Sequence, residues 1–476
     1  MIDSRMVDAV VIGAGLSGLT AAWRLRQAGR SVIVAEASAR PGGRLLNSEP
    51  VLDTVLEMGG AWVGPGQNAV IALADELGVN RYRSQVHRSG DVLWWVGGRK
   101  VRFDGVEPPL DDTARACYRN TVAEMDALSR TVSPERPWDC GDAAELDGIS
   151  LAQWLERKVA DPAIIEYLGL RFTSMLAAPP PAVSMLYALQ FLAACGGFER
   201  SRKGASERFE GGSQSLALRL AERLGDNVVF DSPVRAVRTS ALGVRIETSD
   251  GEVSARKAII ACSPHNAGRI DFEPRLPARR QLLHDRLPMA GCIKMHAVYH
   301  TPFWREEGLN GAVVSDRPGT RVIYDHTPGT GAPGVLTTMM VHQTPHQFGS
   351  PAENFESPDL RAARYIRDLK DCFGSAAANP IVVLQQDWLS EQWVGGCESP
   401  FPPALLTLVG DSVRTPVGNI HWAGTETATS WIGFMDGAVQ AGERVATEVA
   451  AALSAATSQS SAPGSCPAAL PGSRTQ

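Results

Sequence analysis

Residues 8–36, DAVVIGAGLSGLTAAWRLRQAGRSVIVAE, read as a strand, a glycine turn, a helix and a second strand. DAVVI is a continuous apolar run, LSGLTAAWRLRQ repeats its apolar residues at helical spacing, and SVIVA is rich in β-branched side chains. Together they make a βαβ unit of about 30 residues, the usual size. Gly13, Gly15 and Gly18 form GxGxxG where the first strand meets the helix, and Glu36 closes the second strand. Each has a mechanical task in holding a dinucleotide. The first glycine makes the tight turn, the second admits the pyrophosphate, the third lets helix and strand touch, and the acid accepts from ribose hydroxyls. Amides and positive dipole at the helix N-terminus attract the phosphates. The fold expected is α/β, with a Rossmann-like dinucleotide-binding domain and an α+β substrate domain formed by insertions.

Two more glycine clusters follow: Gly42 and Gly43 before Arg44 in ASARPGGRL, and Gly59-Gly60 before Ala61 and Trp62 in LEMGGAWVGPGQN. Repeated glycines near one sheet edge let the backbone approach a long, flat ligand, which favours a flavin over a nicotinamide dinucleotide. Ordinary turns are the alternative explanation.

Over the full 476 residues, 46 Lys+Arg face 52 Asp+Glu, a net charge of −6. The size calls for two or three domains. At 44% hydrophobic and 21% charged, the composition is that of a soluble globular protein, with neither the uncharged run of a membrane span nor the basic clusters of a nucleic-acid binder. No membrane anchor is expected at either end. The eight cysteines are scattered without metal-like spacing, so mostly reduced thiols and a cytoplasmic location are expected. Helices are expected at 111–131, 151–158, 183–194, 214–224 and 359–373. Alternating and apolar strands are expected through VVFDSPVRAVRTSALGVRIETSDGEVSARKAIIACSP. The expected division is a discontinuous cofactor domain (8–89, 207–290 and 391–453), a substrate domain (90–206 and 291–390) and a disordered tail from 454 to 476.

The segments VVIGAGLSGLTAAWRL, AEASARPGGR, MGGAWVGPGQNAV, FEGGSQSL, LPMAGCIKMHAVYHTPFW, QWVGGCESPFPPALLT and IHWAGTETATSWIGFMDGAVQAGERVA together resemble the flavin-containing monoamine oxidase family over residues 8–453. The resemblance implies FAD and oxidation of an amine to an imine that hydrolyses to aldehyde or ketone, with O2 reduced to hydrogen peroxide. It also implies roles residue by residue. Lys294 matches the lysine that holds a water against flavin N5, and Trp388 the tryptophan beside the isoalloxazine ring. Gly424, Thr425 and Glu426 match the loop at the flavin phosphate and ribityl chain, Met435 heads the last helix, and Val234 matches the residue that meets the adenine. Taken alone, Lys294 reads rather as a strand-end lysine reaching solvent and Trp388 as a core aromatic, while a buried strand valine explains Val234 equally well.

Two positions depart from the pattern or test it. Cys397 falls where some relatives link a cysteine to the flavin 8α carbon, and a buried unlinked thiol is the alternative. The family's facing tyrosines are replaced by Glu398 and Phe434. A cavity-facing Glu398 would need a partner or a raised pKa, and implies a substrate with a second cationic or hydrogen-bonding group, such as a diamine or amino alcohol. The alternative turns Glu398 to solvent or to an arginine. Met175 and Leu176 resemble a cavity-lining stretch but also read as core. His342 and His346 are separated by Pro345, which argues against a helical metal pair, and no metal is expected. The partners expected are a small-molecule amine and O2, with room for a homodimer, and neither nucleic acid nor membrane. A polyamine or L-amino-acid oxidase of the same fold, a non-redox escort-type binder and a nicotinamide dehydrogenase are the competing readings. Amino-acid oxidation would require a cavity arginine, which the sequence alone does not single out.

Overall fold

The structure is a computed structural model that describes residues 6–104, 107–317, 320–342 and 357–460. Strand Val7–Ile12 lies parallel between Val32–Ala35 and Gly251–Ile260, with Val10 beside Ile33 on one side and Ala258 on the other. Ile420–Trp422 pairs with Ala258–Ile260, and Val228–Val229 with the end of Val32–Ala35. Helices cover these parallel strands, which explains their unbroken apolar sequences. The first half of Gly251–Ile260 instead pairs antiparallel with Gly243–Thr248, completing an eight-stranded sheet with Val234–Ser240 and Asp271–Glu273.

Three distant stretches of chain therefore end at one sheet edge: Ile12 and Ala35, Ile260, and Trp422. The residues that follow them include Gly13, Glu36, Cys262 and Gly424. Open parallel sheets bind ligands in the crevice at this edge. Helices Leu16–Gln27 and Met435–Ser460 cover one face through a core that includes Leu19, Leu25, Val439 and Val445. They touch at Gly442, where a side chain would strike the Ser17 carbonyl.

A second, seven-stranded sheet is built from 91–103, 291–342 and 382–387. Its strand Gly291–Tyr299 is buried at every position, and helix Pro358–Phe373 packs Tyr365, Leu369 and Phe373 into the same core. Helices between 112 and 195 form a third apolar mass around Met125, Trp154, Phe172 and Leu189. No helix among the described residues is long and apolar enough to cross a membrane.

Two helical expectations need correction. Helix Pro162–Leu176 was not expected from the sequence, although Asp161 caps it by accepting from the Ala163 amide and Pro162 starts it, a standard N-terminal signal. The last helix runs from Met435 to Ser460, so residues 454–460 are not a disordered tail. Alanine-rich sequence propagates the helix, and no glycine or proline interrupts it there. Residues 461–476, Cys466 among them, and His346 lie outside the described residues.

Candidate active site

A cavity of about 740 Å³ starts at the sheet edge and reaches the second sheet and the helical layer. Gly13 and Gly15 line its phosphate-loop end, with Gly15 as N-cap of helix Leu16–Gln27. A Cβ at Gly15 would meet no protein atom, whereas one at Gly18 would overlap the Gly13 carbonyl. Gly15 thus leaves room for a ligand, and Gly18 serves helix–strand packing away from the wall. The buried Glu36 carboxylate accepts from the Ala14 amide at 2.6 Å and from the Ser38 amide and hydroxyl at 2.9 and 2.7 Å. It therefore sets the shape of the turn as well as facing the cavity, which Gly43, Arg44 and Val234 also line.

Gly59, Gly60, Ala61, Trp62 and Trp388 form another part of the wall. Trp388 Nε1 donates to the Met58 carbonyl at 3.0 Å, and its ring passes so close to Gly59 that a Cβ there would come within 2.9 Å of it. Lys294 is 1% exposed, which removes the solvent-reaching reading. Its Nζ donates to the Gly59 carbonyl at 2.9 Å and sits 4.9 Å from the Trp62 ring centroid. Burial pulls the Lys294 ammonium down to about 8; Glu57 opposes that shift and Arg208 adds to it. Behind the lysine, Glu57 forms a fully buried ion pair with Arg208 and accepts at 3.0 Å from His326. Burial holds His326 down to about 3, so it is neutral. Glu57 and Arg208 were not singled out from the sequence: they are 151 positions apart, and only the fold joins them.

Gly424, Thr425 and Met435 complete the wall on the last-helix side. Thr425 Oγ1 accepts from the Gly433 amide at 2.8 Å and donates to the Phe434 carbonyl at 3.0 Å, fixing the turn into the helix. Glu426 is not on the wall. It pairs with Arg44 at 2.9 Å, and Arg44 donates to the Cys397 carbonyl at 3.0 Å. That arginine clamps the segment carrying Cys397 and Glu398, while reciprocal 2.7 Å bonds with Ala290 fix its register.

This register turns Cys397 and Glu398 into the cavity. The Cys397 thiol contacts Cys292, and that hydrogen bond together with burial pushes it well above the usual thiol range. The Glu398 carboxylate packs over Gly433, where a Cβ would overlap it. Burial raises its pKa well above the usual carboxylate range; Cys397 and Glu426 add to this and Arg44 opposes it. Phe434 stacks on Phe191 with centroids 6.0 Å apart and meets Trp431 edge-on at 5.1 Å. One aromatic and one acidic side chain therefore stand on this part of the wall. Met175 lines the cavity, whereas Leu176 is core.

The residues present fit a flavin dinucleotide. Glycine backbone, a helix N-terminus and an acid line one part of the cavity, and Trp62, Trp388 and the Gly59-Gly60 backbone another. Trp62 Nε1 and Asn266 Oδ1, in residues on the wall, are buried without a partner among the described residues, as groups awaiting a polar ligand would be. No cluster of metal-binding side chains occurs among the described residues.

The family model for flavin-containing amine oxidoreductases matches residues 16–450. The chain is 35% identical, over 93% of its length and 96% of the other's, to a Mycobacterium tuberculosis protein named as a flavin-containing monoamine oxidase. To flavin-containing amine oxidase A of Bos taurus it is 32% identical over 93% of its length and 85% of the other's. A putrescine oxidase structure bound to putrescine superposes with a TM-score of 0.89 at 34% identity, covering 94% of this chain and 100% of that one.

Proposed function

The chain belongs to the flavin-containing amine oxidoreductase family, and on that premise we propose that Lys294, Trp388, Glu398 and Phe434 form the end of the cavity where its amine reacts. The family's activity is FAD-dependent oxidation of an amine, with O2 as acceptor. When bound, FAD supplies the two-electron oxidation of the amine α-carbon, and its reoxidation by O2 releases hydrogen peroxide.

The observation that carries the reading is the convergence of these four side chains on the cavity whose opposite end is the GxGxxG turn. Trp388 and the Gly59 backbone make a flat wall for a ring. Lys294 provides a fixed cation beside that wall, in a dry site where it stabilises developing negative charge. Phe434 confines the substrate from one side. Glu398, whose carboxyl pKa burial raises above the usual carboxylate range, offers a hydrogen-bonding partner to the substrate on the other. None of these residues is placed as a dedicated base, so positioning supplies most of the rate. The reading assigns residues 8–89, 207–290 and 391–453 to the FAD domain and 90–206 with 291–390 to the substrate domain. It places the enzyme in the cytoplasm, away from membranes, as a monomer or homodimer.

Glu398 favours amines with a second hydrogen-bonding group close to the reacting nitrogen, as in short diamines or amino alcohols. The test compares Glu398→Gln with the parent on amino alcohols and matching alkylamines. Loss of the preference for the hydroxylated amine supports the role; unchanged selectivity removes it.

A further inference from the structure

The guanidinium of Arg171 on the cavity wall has no carboxylate partner among the described residues. Arg171 lies on helix Pro162–Leu176, one turn after Tyr167 and one turn before Met175, and all three line the cavity. Its Nε is buried and has no hydrogen-bond partner. Neighbouring arginines are matched: Arg202, also on the wall, pairs with Glu199 at 3.0 Å, Arg119 with Glu107 at 2.8 Å, and Arg321 with Glu166 at 3.1 Å. No carboxylate pairs with Arg171 among the described residues. Arg171 thus brings a buried Nε–H without an acceptor to the cavity wall, a donor that an anionic group of a ligand would satisfy.

Arg171 and Glu398 are separate poles. The charges acting on Glu398 are those of Arg44, Glu426 and Cys397, whereas Arg171 acts on Tyr118 in the helical layer. The acid stands on the strap beside the flavin-side residues, and the arginine on the substrate-side helix.

We propose that Arg171 is an anion subsite, and that the preferred substrate is an amine carrying a carboxylate at the end remote from the reacting nitrogen. A planar guanidinium fork matches a carboxylate in two parallel hydrogen bonds. The substrate class is thus an amino carboxylate, with its reacting nitrogen at the Lys294 and Trp388 end of the cavity and its carboxylate on Arg171. A long diamine would put its second ammonium against Arg171 and be disfavoured. This inference rests on the amine-oxidase reading and deepens it.

The test uses the FAD-loaded protein and two readouts. In turnover, linear ω-amino carboxylates of increasing length are compared with the matching ω-amino amides and diamines by peroxide release. In binding, linear alkanoates that cannot be oxidised are compared with the corresponding primary amides by perturbation of the flavin absorption band. At the best chain length the carboxylate should outperform the amide about tenfold or more, the worth of a charge-assisted bond. Arg171→Met should erase that margin, Arg171→Lys should retain part of it, and the exposed control Arg119→Gln should leave it intact. Equal binding of alkanoate and amide in the parent, or a margin that survives in Arg171→Met with an unchanged melting temperature, would overturn the proposal. If neutral amines turn over without carboxylate preference, the subsite fails alone. If no amine is oxidised, the function reading fails, and the alkanoate comparison still decides the subsite.

Discussion

Lys294 Nζ stands 4.9 Å from the centre of the Trp62 ring while donating a 2.9 Å hydrogen bond to the Gly59 carbonyl. A buried ammonium is thus held by a ring face and a backbone dipole, with the Glu57 and Arg208 pair behind it.

Burial lowers the Lys294 pKa to about 8, so the cation is present below that pH and lost above it. Reoxidation of the reduced enzyme by O2 should slow as pH rises through about 8. Lys294→Met should lower this rate by about 10²-fold, the scale of removing one preorganised electrostatic group, and flatten its pH profile. Stopped-flow mixing with oxygenated buffer measures both. A profile unchanged by the substitution would show that the ammonium does not act on this step.

Gly15 and Gly18 should respond oppositely to the same added methyl. Gly15→Ala puts its Cβ in open cavity space, so the apoprotein should keep its melting temperature but lose FAD affinity. Gly18→Ala drives the Cβ into the Gly13 carbonyl, so the fold itself should suffer. Thermal denaturation and the ratio of flavin to protein absorbance distinguish the two. Normal flavin content in Gly15→Ala would contradict the placement of the pyrophosphate.

The Glu57–Arg208 pair is fully buried, so removing either partner alone leaves an unpaired charge. Arg208→Met should cost about 3–5 kcal/mol, and the double substitution with Glu57→Gln should recover part of the loss. The native pair holds the Glu57 carboxyl below its ordinary pKa. Its stabilisation is therefore present above the unfolded carboxylate pKa and lost as pH falls toward the folded one. Urea titrations of the single and double variants check the coupling; purely additive losses would refute it.

We expect FAD to be linked through Cys397, slowly and more completely at higher pH. The hydrogen bond that the Cys397 thiol donates to Cys292, together with burial, raises its pKa, while Arg44 and Lys294 pull the other way, and linkage needs the thiolate. Acid precipitation after incubation across a pH series should show protein-bound flavin rising with pH and absent in Cys397→Ser. Complete release of flavin at every pH would exclude the linkage.

The sheet edge was legible in the sequence because it depends on local signals: a βαβ unit, three glycines and an acid in register. Helices 151–158 and 214–224 were readable from their periodicity and agree with the structure. What escaped depends on contacts between distant residues. Glu57 finds Arg208 only when strand Glu207–Phe209 pairs with Trp62–Val63 and Arg81–Arg83. The direction of Glu398 follows from the Ala290 bridge, and the exposure of Arg171 to the cavity from a helix whose apolar run blurred its periodicity. In the last helix, alanine carried the structure past the point where small residues suggested a tail.

Anaerobic mixing of the purified FAD-bound protein with amines, amino alcohols, diamines and amino carboxylates, followed at the oxidised flavin band, tests amine oxidation directly. That band should be lost with at least one of these classes and return, with release of hydrogen peroxide, when O2 is admitted. A flavin that dithionite reduces and no amine bleaches would contradict that activity.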